Sequence, residues 1–134
     1  MNIALIAHDK MKVEMTSFVQ ANRSFYSHKS NFIYATKNTG NAILTIGLSN
    51  VKLLSSGPMG GDAQIASLIV EGKIDAVFFF IDPLCSHVHE VDIYMLIRLC
   101  NVHNIPLATN PLSAFHIVSS LSAHQLVRTK ESLN

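Results

Sequence analysis

Residues 56–62, Ser-Gly-Pro-Met-Gly-Gly-Asp, place three glycines and a carboxylate within seven positions. Glycines at that density let backbone N–H groups close around an anion, which is then well held at the N-terminus of a following helix. The segment is not a nucleotide P-loop, because the Lys-Ser/Thr pair that ends one is missing and Asp62 stands there instead. A carboxylate beside a bound phosphate is disfavoured in its charged form, which suits it to taking up a proton. Asp62 therefore reads in two ways: as a general base beside a phosphate held by Ser56 and Gly57, or as the N-cap of the next helix.

Three further groups offer matching chemistry. Thr36-Lys37-Asn38-Thr39-Gly40 supplies hydroxyl and amide donors at a second turn that could hold phosphate. Lys12 is a cation one turn into the first helix, on a different face from Met11 and Met15, and within reach of the strand ends. Asp82-Pro83-Leu84 followed by His87, His89, Glu90 and Asp92 concentrates titratable groups in eleven residues. His89 and Asp92 could polarise a carbonyl and move a proton, while Asp82 could orient a partner or cap a turn. A metal held by His87 and His89 lacks a third ligand of recognisable spacing, so no metal is expected. His28, His103, His116 and His124 have no such company and read as surface or packed side chains. Cys85 and Cys100 show neither C-x-x-C spacing nor other cysteines and read as buried thiols in a reducing compartment.

The elements that must position these groups follow from the apolar pattern. Half the chain is apolar (49%) and only 14% charged, which excludes a disordered segment and leaves apolar surface for burial between subunits. Homo-oligomerisation is expected. A net charge of +1 with scattered basic residues gives no nucleic-acid footprint. No run reaches the ~18 apolar residues of a membrane span, and the N-terminus lacks the basic start and apolar stretch of a signal peptide. The expected location is cytoplasmic, and the 134 residues are expected to form one domain.

Short apolar runs at Ile3–Ala7, Asn31–Ala35, Val51–Leu54, Ala76–Ile81 and Ile105–Ala108 predict strands, the fourth being central because six apolar residues stand between Asp75 and Asp82-Pro83. Helical spacing predicts helices around Met11–Val19, Asn38–Leu48, Ile65–Ile69 and Val91–Val102. A last helix starts at Pro111 and runs through Val118, and the tail from Ser119 is polar and weakly patterned. Alternation of this kind predicts an α/β fold of the doubly wound, flavodoxin-like sort: a five-stranded parallel sheet with helices on both faces. Ligands in such sheets bind beyond the carboxyl ends of the strands. His8-Asp9, Thr36–Gly40, Ser55–Asp62, Asp82–Asp92 and Thr109-Asn110 all follow strands, so all five segments are predicted to meet at one edge.

The order of these segments resembles the methylglyoxal synthase family. The residues that carry the likeness are His8-Asp9, Lys12, Ala35-Thr36-x-x-Thr39-Gly40, Ser56–Asp62, Asp82-Pro83-Leu84, His89-x-x-Asp92 and Ile105–Asn110, and it spans residues 3 to about 118. The resemblance implies a lyase that takes a proton from the hydroxymethyl carbon of dihydroxyacetone phosphate, forms an enediolate and expels phosphate. By position, Asp62 would be the base, with His89 and Asp92 at the carbonyl oxygen. Lys12, Thr36, Asn38, Thr39, Ser56 and Gly57 would hold phosphate, and His8 and Asp82 would complete the pocket. It further implies no cofactor, a homo-oligomer (commonly a hexamer), and inorganic phosphate as product and possible regulator.

Three departures stand out. Lys37-Asn38 replaces a usual Gly-Thr, Val91 replaces a usual proline, and the family's C-terminal arginine has only Arg128 as a substitute, which could act across a subunit interface. The rival expectations are a non-catalytic or regulatory phosphate-ligand-binding module of the same fold, and a phosphosugar isomerase.

Overall fold

In the computed structural model, residues 1–86 and 90–134 are described. Five parallel strands, β1 (Asn2–Ala7), β2 (Phe32–Ala35), β3 (Val51–Leu53), β4 (Ala76–Phe80) and β5 (Leu107–Ala108), form one sheet in the order β3-β2-β1-β4-β5. Within the doubly wound class this is the 3-2-1-4-5 arrangement and not the 2-1-3-4-5 of flavodoxin. The central pair runs in register with Ala4 opposite Val77 and Ile6 opposite Phe79.

Period-two alternation of β1 and β4 assigns the two faces. Ile3, Leu5, Phe78 and Phe80 pack with helices α1 (Lys12–Ala21), α2 (Arg23–Tyr26), α3 (Lys37–Thr45) and α6 (Pro111–Leu133). Phe18 of α1 is the hub on that side, its ring 5.4 Å from Phe78 and 5.5 Å from Phe80. Ala4, Ile6, Val77 and Phe79 pack on the other side with α4 (Gly61–Val70) and α5 (Glu90–Val102). All five residues of β4 are buried, as a continuous apolar run in a parallel strand requires. Burial of each such Phe is worth ~2 kcal/mol, so the phenylalanine run anchors both layers.

The chain crosses from β1 over one face to β2 and β3, then returns on the other face through α4 to β4. The switch point therefore lies between β1 and β4, and a crevice must open beyond their carboxyl ends.

The last helix departs from the expectation. It does not stop near Val118 but continues to Leu133. Ile117 and Leu121 still pack against the first core layer, and no Gly or Pro follows Pro111 to end it. The polar residues beyond adapt to the helix, with Thr129 donating to the Gln125 carbonyl at 2.9 Å and Ser132 to that of Thr129. Gln125 also reaches Ser30 and Asn31 through hydrogen bonds of 2.7 and 2.9 Å, tying the helix to the start of β2.

Candidate active site at the β1–β4 switch point

Two turns build the edge expected to hold an anion, and the backbone joins them. The Lys37 N–H at the start of α3 donates to the Ser55 carbonyl at 3.4 Å, and the Ser55 N–H donates to Gln64 Oε1 of α4 at 2.8 Å. Gly57–Met59 forms a 3-10 turn, closed by Met59 and Gly61 N–H groups donating to the Ser56 carbonyl at 3.0 and 2.9 Å. A Cβ on Gly61 would collide with the Ser55 carbonyl oxygen, so that glycine is required by close approach.

Asp62 is not the helix cap. Gly60, in the left-handed conformation at φ 110°, occupies the N-cap position, and Asp62 lies one turn-position inside α4. Its side chain is only 1% exposed. The two carboxyl oxygens lie 3.2 and 3.4 Å from where a Cβ on Gly57 would stand. The absence of a side chain at Gly57 is thus what lets the carboxylate settle against the glycine turn.

The central strands supply the opposite wall. The His8 N–H donates to the Phe80 carbonyl at 3.1 Å, extending the ladder past β1, and the Asp82 N–H donates to His8 Nδ1 at 2.9 Å. Asp82 Oδ1 in turn accepts from the Leu84 N–H at 3.0 Å, the expected Asx-type turn. Lys12 Nζ donates to the Ala7 carbonyl at 2.7 Å and sits 3.3 Å from the Asp9 carboxylate. The ammonium is thereby folded back over the end of β1.

Together these side chains line one cavity of about 330 Å³. It is bounded by His8, Lys12, Asn38, Ser56, Gly57, Asp62 and Asp82, with Asp9, Lys10, Pro58 and Cys85 completing the wall. The volume is at the small end of the range for ligand pockets, suited to a short phosphate ester. Thr36 and Thr39 lie beneath it. Both are buried, and the Thr39 hydroxyl accepts from the Ala7 N–H at 3.1 Å and meets Thr36 Oγ1 at 3.3 Å. They brace the first turn of α3 against β1 and do not line the cavity. Lys37 begins α3 in helical geometry, where a glycine's extra freedom is not called upon. Val91 falls in the first turn of α5, where the geometry suits valine and proline alike.

Besides the two threonines, Asp92 and Arg128 do not join this group. Asp92 is half-buried in the first turn of α5 and is not among the described residues that line the cavity. Arg128 lies at the other end of the molecule, beside Met1, Ser30 and Gln125. The reason is geometric: α6 starts after β5 and runs back along the sheet, so Arg128 is on the order of 25 Å along the helix from Pro111. His87 and His89 lie outside the described residues. Cys85, expected to be buried, is exposed and lines the cavity, whereas Cys100 is buried. Burial pushes the Cys100 thiol up to about 11. The sequence reading did not single out Lys10 or Pro58. Their only signal is position, since each stands in a segment that follows a strand.

A doubly wound sheet whose switch point carries a glycine turn, a lysine and a buried carboxylate defines a small α/β protein for phosphorylated ligands. The MGS-like domain family matches residues 15–109, and the chain belongs to that family. Its relatives include the methylglyoxal synthase of Clostridioides difficile, 48% identical over 126 residues, which are 94% of this chain and 90% of that one. The methylglyoxal synthase of Photorhabdus laumondii is 52% identical over 120 residues, 89% of this chain and 77% of that one. Among solved structures, the methylglyoxal synthase from Elizabethkingia anophelis superposes with a TM-score of 0.80 at 39% identity, over 88% of this chain and 76% of that one.

Proposed function

We propose that this chain is a methylglyoxal synthase, a carbon–oxygen lyase that converts dihydroxyacetone phosphate to methylglyoxal and inorganic phosphate. The observation that carries the reading is the buried Asp62 carboxylate seated against Gly57, in a cavity whose wall also holds Lys12. A carboxylate beside an ammonium in one cavity supports a base acting next to a phosphate grip.

Asp62 takes a proton from the hydroxymethyl carbon, leaving an enediolate. The C–O bond to phosphate then breaks, its electrons leaving with phosphate; the deprotonated carbon is left as the aldehyde, and the remaining enol takes up a proton at its CH2 carbon to give methylglyoxal. Lys12, the Asn38 amide and the Ser56–Gly57 turn hold the phosphate, and His8 offers a donor from the opposite wall. Elimination requires the breaking C–O bond to stand roughly perpendicular to the enediolate plane. Donors that fix the ester in that pose and receive charge as phosphate departs favour lyase over isomerase chemistry. His89 and Asp92 act at the carbonyl oxygen in this scheme, with Asp92 approaching from α5. Arg128, remote from its own cavity, acts in a neighbouring subunit.

Homo-oligomeric assembly, with a hexamer favoured, belongs to the same proposal. It is supported by the exposed apolar residues of α6, among them Leu112, Phe115, Leu126 and Val127. Action in the cytoplasm and a response to inorganic phosphate rest on the family resemblance. No helix among the described residues is long and apolar enough to cross a membrane.

The test is purified protein with dihydroxyacetone phosphate, following methylglyoxal and inorganic phosphate together. Asp62→Asn lowers turnover by several orders of magnitude while a phosphate-bearing inhibitor still binds. Absence of both products in the unsubstituted protein overturns the reading, glyceraldehyde phosphate as product indicates an isomerase, and normal turnover by Asp62→Asn removes it as the base.

A further inference from the structure

The side chain of His8 is fixed by a group that can only donate. A backbone amide carries a hydrogen and no usable lone pair, so the 2.9 Å bond from the Asp82 N–H requires a lone pair on Nδ1. An imidazole that accepts at Nδ1 carries its hydrogen on Nε2 and is neutral. We infer that His8 is held as the neutral Nε2–H tautomer by the Asp82 amide, and serves the cavity as an uncharged hydrogen-bond donor.

Several features make that state hard to leave. The ring is 9% exposed and stands edge-on to Phe79, with centroids 5.2 Å apart, so it cannot turn freely to present another atom. The His8 backbone is itself bonded to Phe80, which fixes where the ring starts. The Asp82 amide is aimed by its own side chain, whose Oδ1 accepts from Leu84 N–H. Protonating Nδ1 would set two N–H groups against each other and strip a buried amide of its acceptor.

The charged groups around the ring act in both directions. Asp9, Asp62 and Asp82 line the same cavity, and Glu90 of α5 lines the adjoining hollow with Asp82. These favour an imidazolium. Lys10 and Lys12 line the cavity from the first strand end and oppose it. The Lys12–Asp9 pair, 3.3 Å apart, partly cancels one of each. The amide bond is the directional element that decides between them.

The consequence deepens the reading above and rests on it only for the ligand's identity. The cationic charge for a phosphate comes from Lys12, and His8 adds a donor whose strength does not change with pH. A neutral imidazole holds a developing oxyanion without readily handing over a proton, as a polarising group should. A free histidine titrates near 6.5, so without this device phosphate affinity would change across neutral pH.

The experiment uses the full chain labelled with nitrogen-15 in its histidine rings. Two-bond proton–nitrogen spectra are recorded from about pH 5.5 to 8.5, the window in which an ordinary histidine titrates. His8→Gln identifies the signals, and contacts from the ring protons to Phe79 identify them independently should that variant fail to fold. The expected result is a protonated Nε2 and an unprotonated Nδ1 for His8 at every pH. The pH profile of kcat/KM for His8→Gln is lower than that of the unsubstituted protein and parallel to it. A His8 midpoint inside the window, a proton on Nδ1, or an acidic limb that vanishes in His8→Gln overturns the inference. Because the ring spectrum needs no substrate, a failure of the lyase assay leaves this measurement intact.

Discussion

Gly57→Ala separates the placement of Asp62 from its presence. The new methyl would lie 3.2 Å from one carboxyl oxygen of Asp62 and 3.4 Å from the other. The nearer distance is tighter than ordinary contact, so the carboxylate must yield by a few tenths of an ångström. Gly57 does not have a positive φ, so alanine fits the backbone without strain and the fold should survive. A misplacement of about 1 Å at a reacting centre costs roughly a hundredfold. Scaling that to 0.2–0.5 Å gives a loss of about three- to tenfold in kcat, or about 0.6–1.4 kcal/mol of barrier. The assay is steady-state turnover of dihydroxyacetone phosphate with thermal unfolding measured in parallel. Reduced kcat with little change in KM and an unchanged midpoint is expected. Full activity would show that Asp62 does not need its present position, and a rise in KM alone would make Gly57 a phosphate contact and nothing more. Gly61→Ala is the contrasting control, because its collision with the Ser55 carbonyl strikes backbone and should destabilise the loop itself.

The remaining predictions concern groups away from the reacting carboxylate. Tyr26 is fully buried, its hydroxyl has no hydrogen-bond partner among the described residues, and burial raises its phenol well above the usual value. Both states hold the phenolic proton below the unfolded value of about 10. Above it only the unfolded chain releases the proton, so stability falls with pH by up to about 1.4 kcal/mol per unit. Tyr26→Phe should therefore raise the unfolding free energy at neutral pH by about 1 kcal/mol and flatten the alkaline slope; an unchanged slope would refute the assignment. In a thiol titration of the native protein near pH 8, Cys85 should react at once and Cys100 only on unfolding. Two fast equivalents would contradict the burial of Cys100. Inorganic phosphate should slow the Cys85 reaction, since that residue lines the same cavity; an unaffected rate would place phosphate elsewhere.

What was legible in the sequence was what depends on short range. The strand runs are apolar because both faces are covered, and the segments following them converge because parallel crossovers leave them no other edge. Asp62 was ambiguous because the helix start could be placed only to within a residue or two. Gly60 in the left-handed conformation takes the cap position and moves Asp62 inward. The extent of α6 was hidden for another reason: beyond Val118 its apolar spacing thins, and its continuation depends on Gln125 meeting Ser30 and Asn31, nearly a hundred residues earlier in the chain. Cys85 misled because cysteine is usually buried, yet its turn exposes it together with Leu84, which is 95% exposed.

The site's electrostatics were the least legible, and the physics says why. Residue types suggest three phosphate-holding hydroxyls, but Thr39 is already bonded to the end of β1 and Thr36 to Thr39. These bonds brace the α3 turn that presents Asn38. The tautomer of His8 is likewise not written in its type, and an amide 74 positions away determines which nitrogen carries the proton. In a parallel sheet the carboxyl ends of neighbouring strands belong to distant segments, so the groups that tune a side chain there are usually remote in sequence. A motif can therefore name the reacting groups while the sheet sets their charge, orientation and reach. This is why substitutions at Gly57 and Asp82, neither of which needs to touch the reacting carbon, should alter the chemistry at that edge.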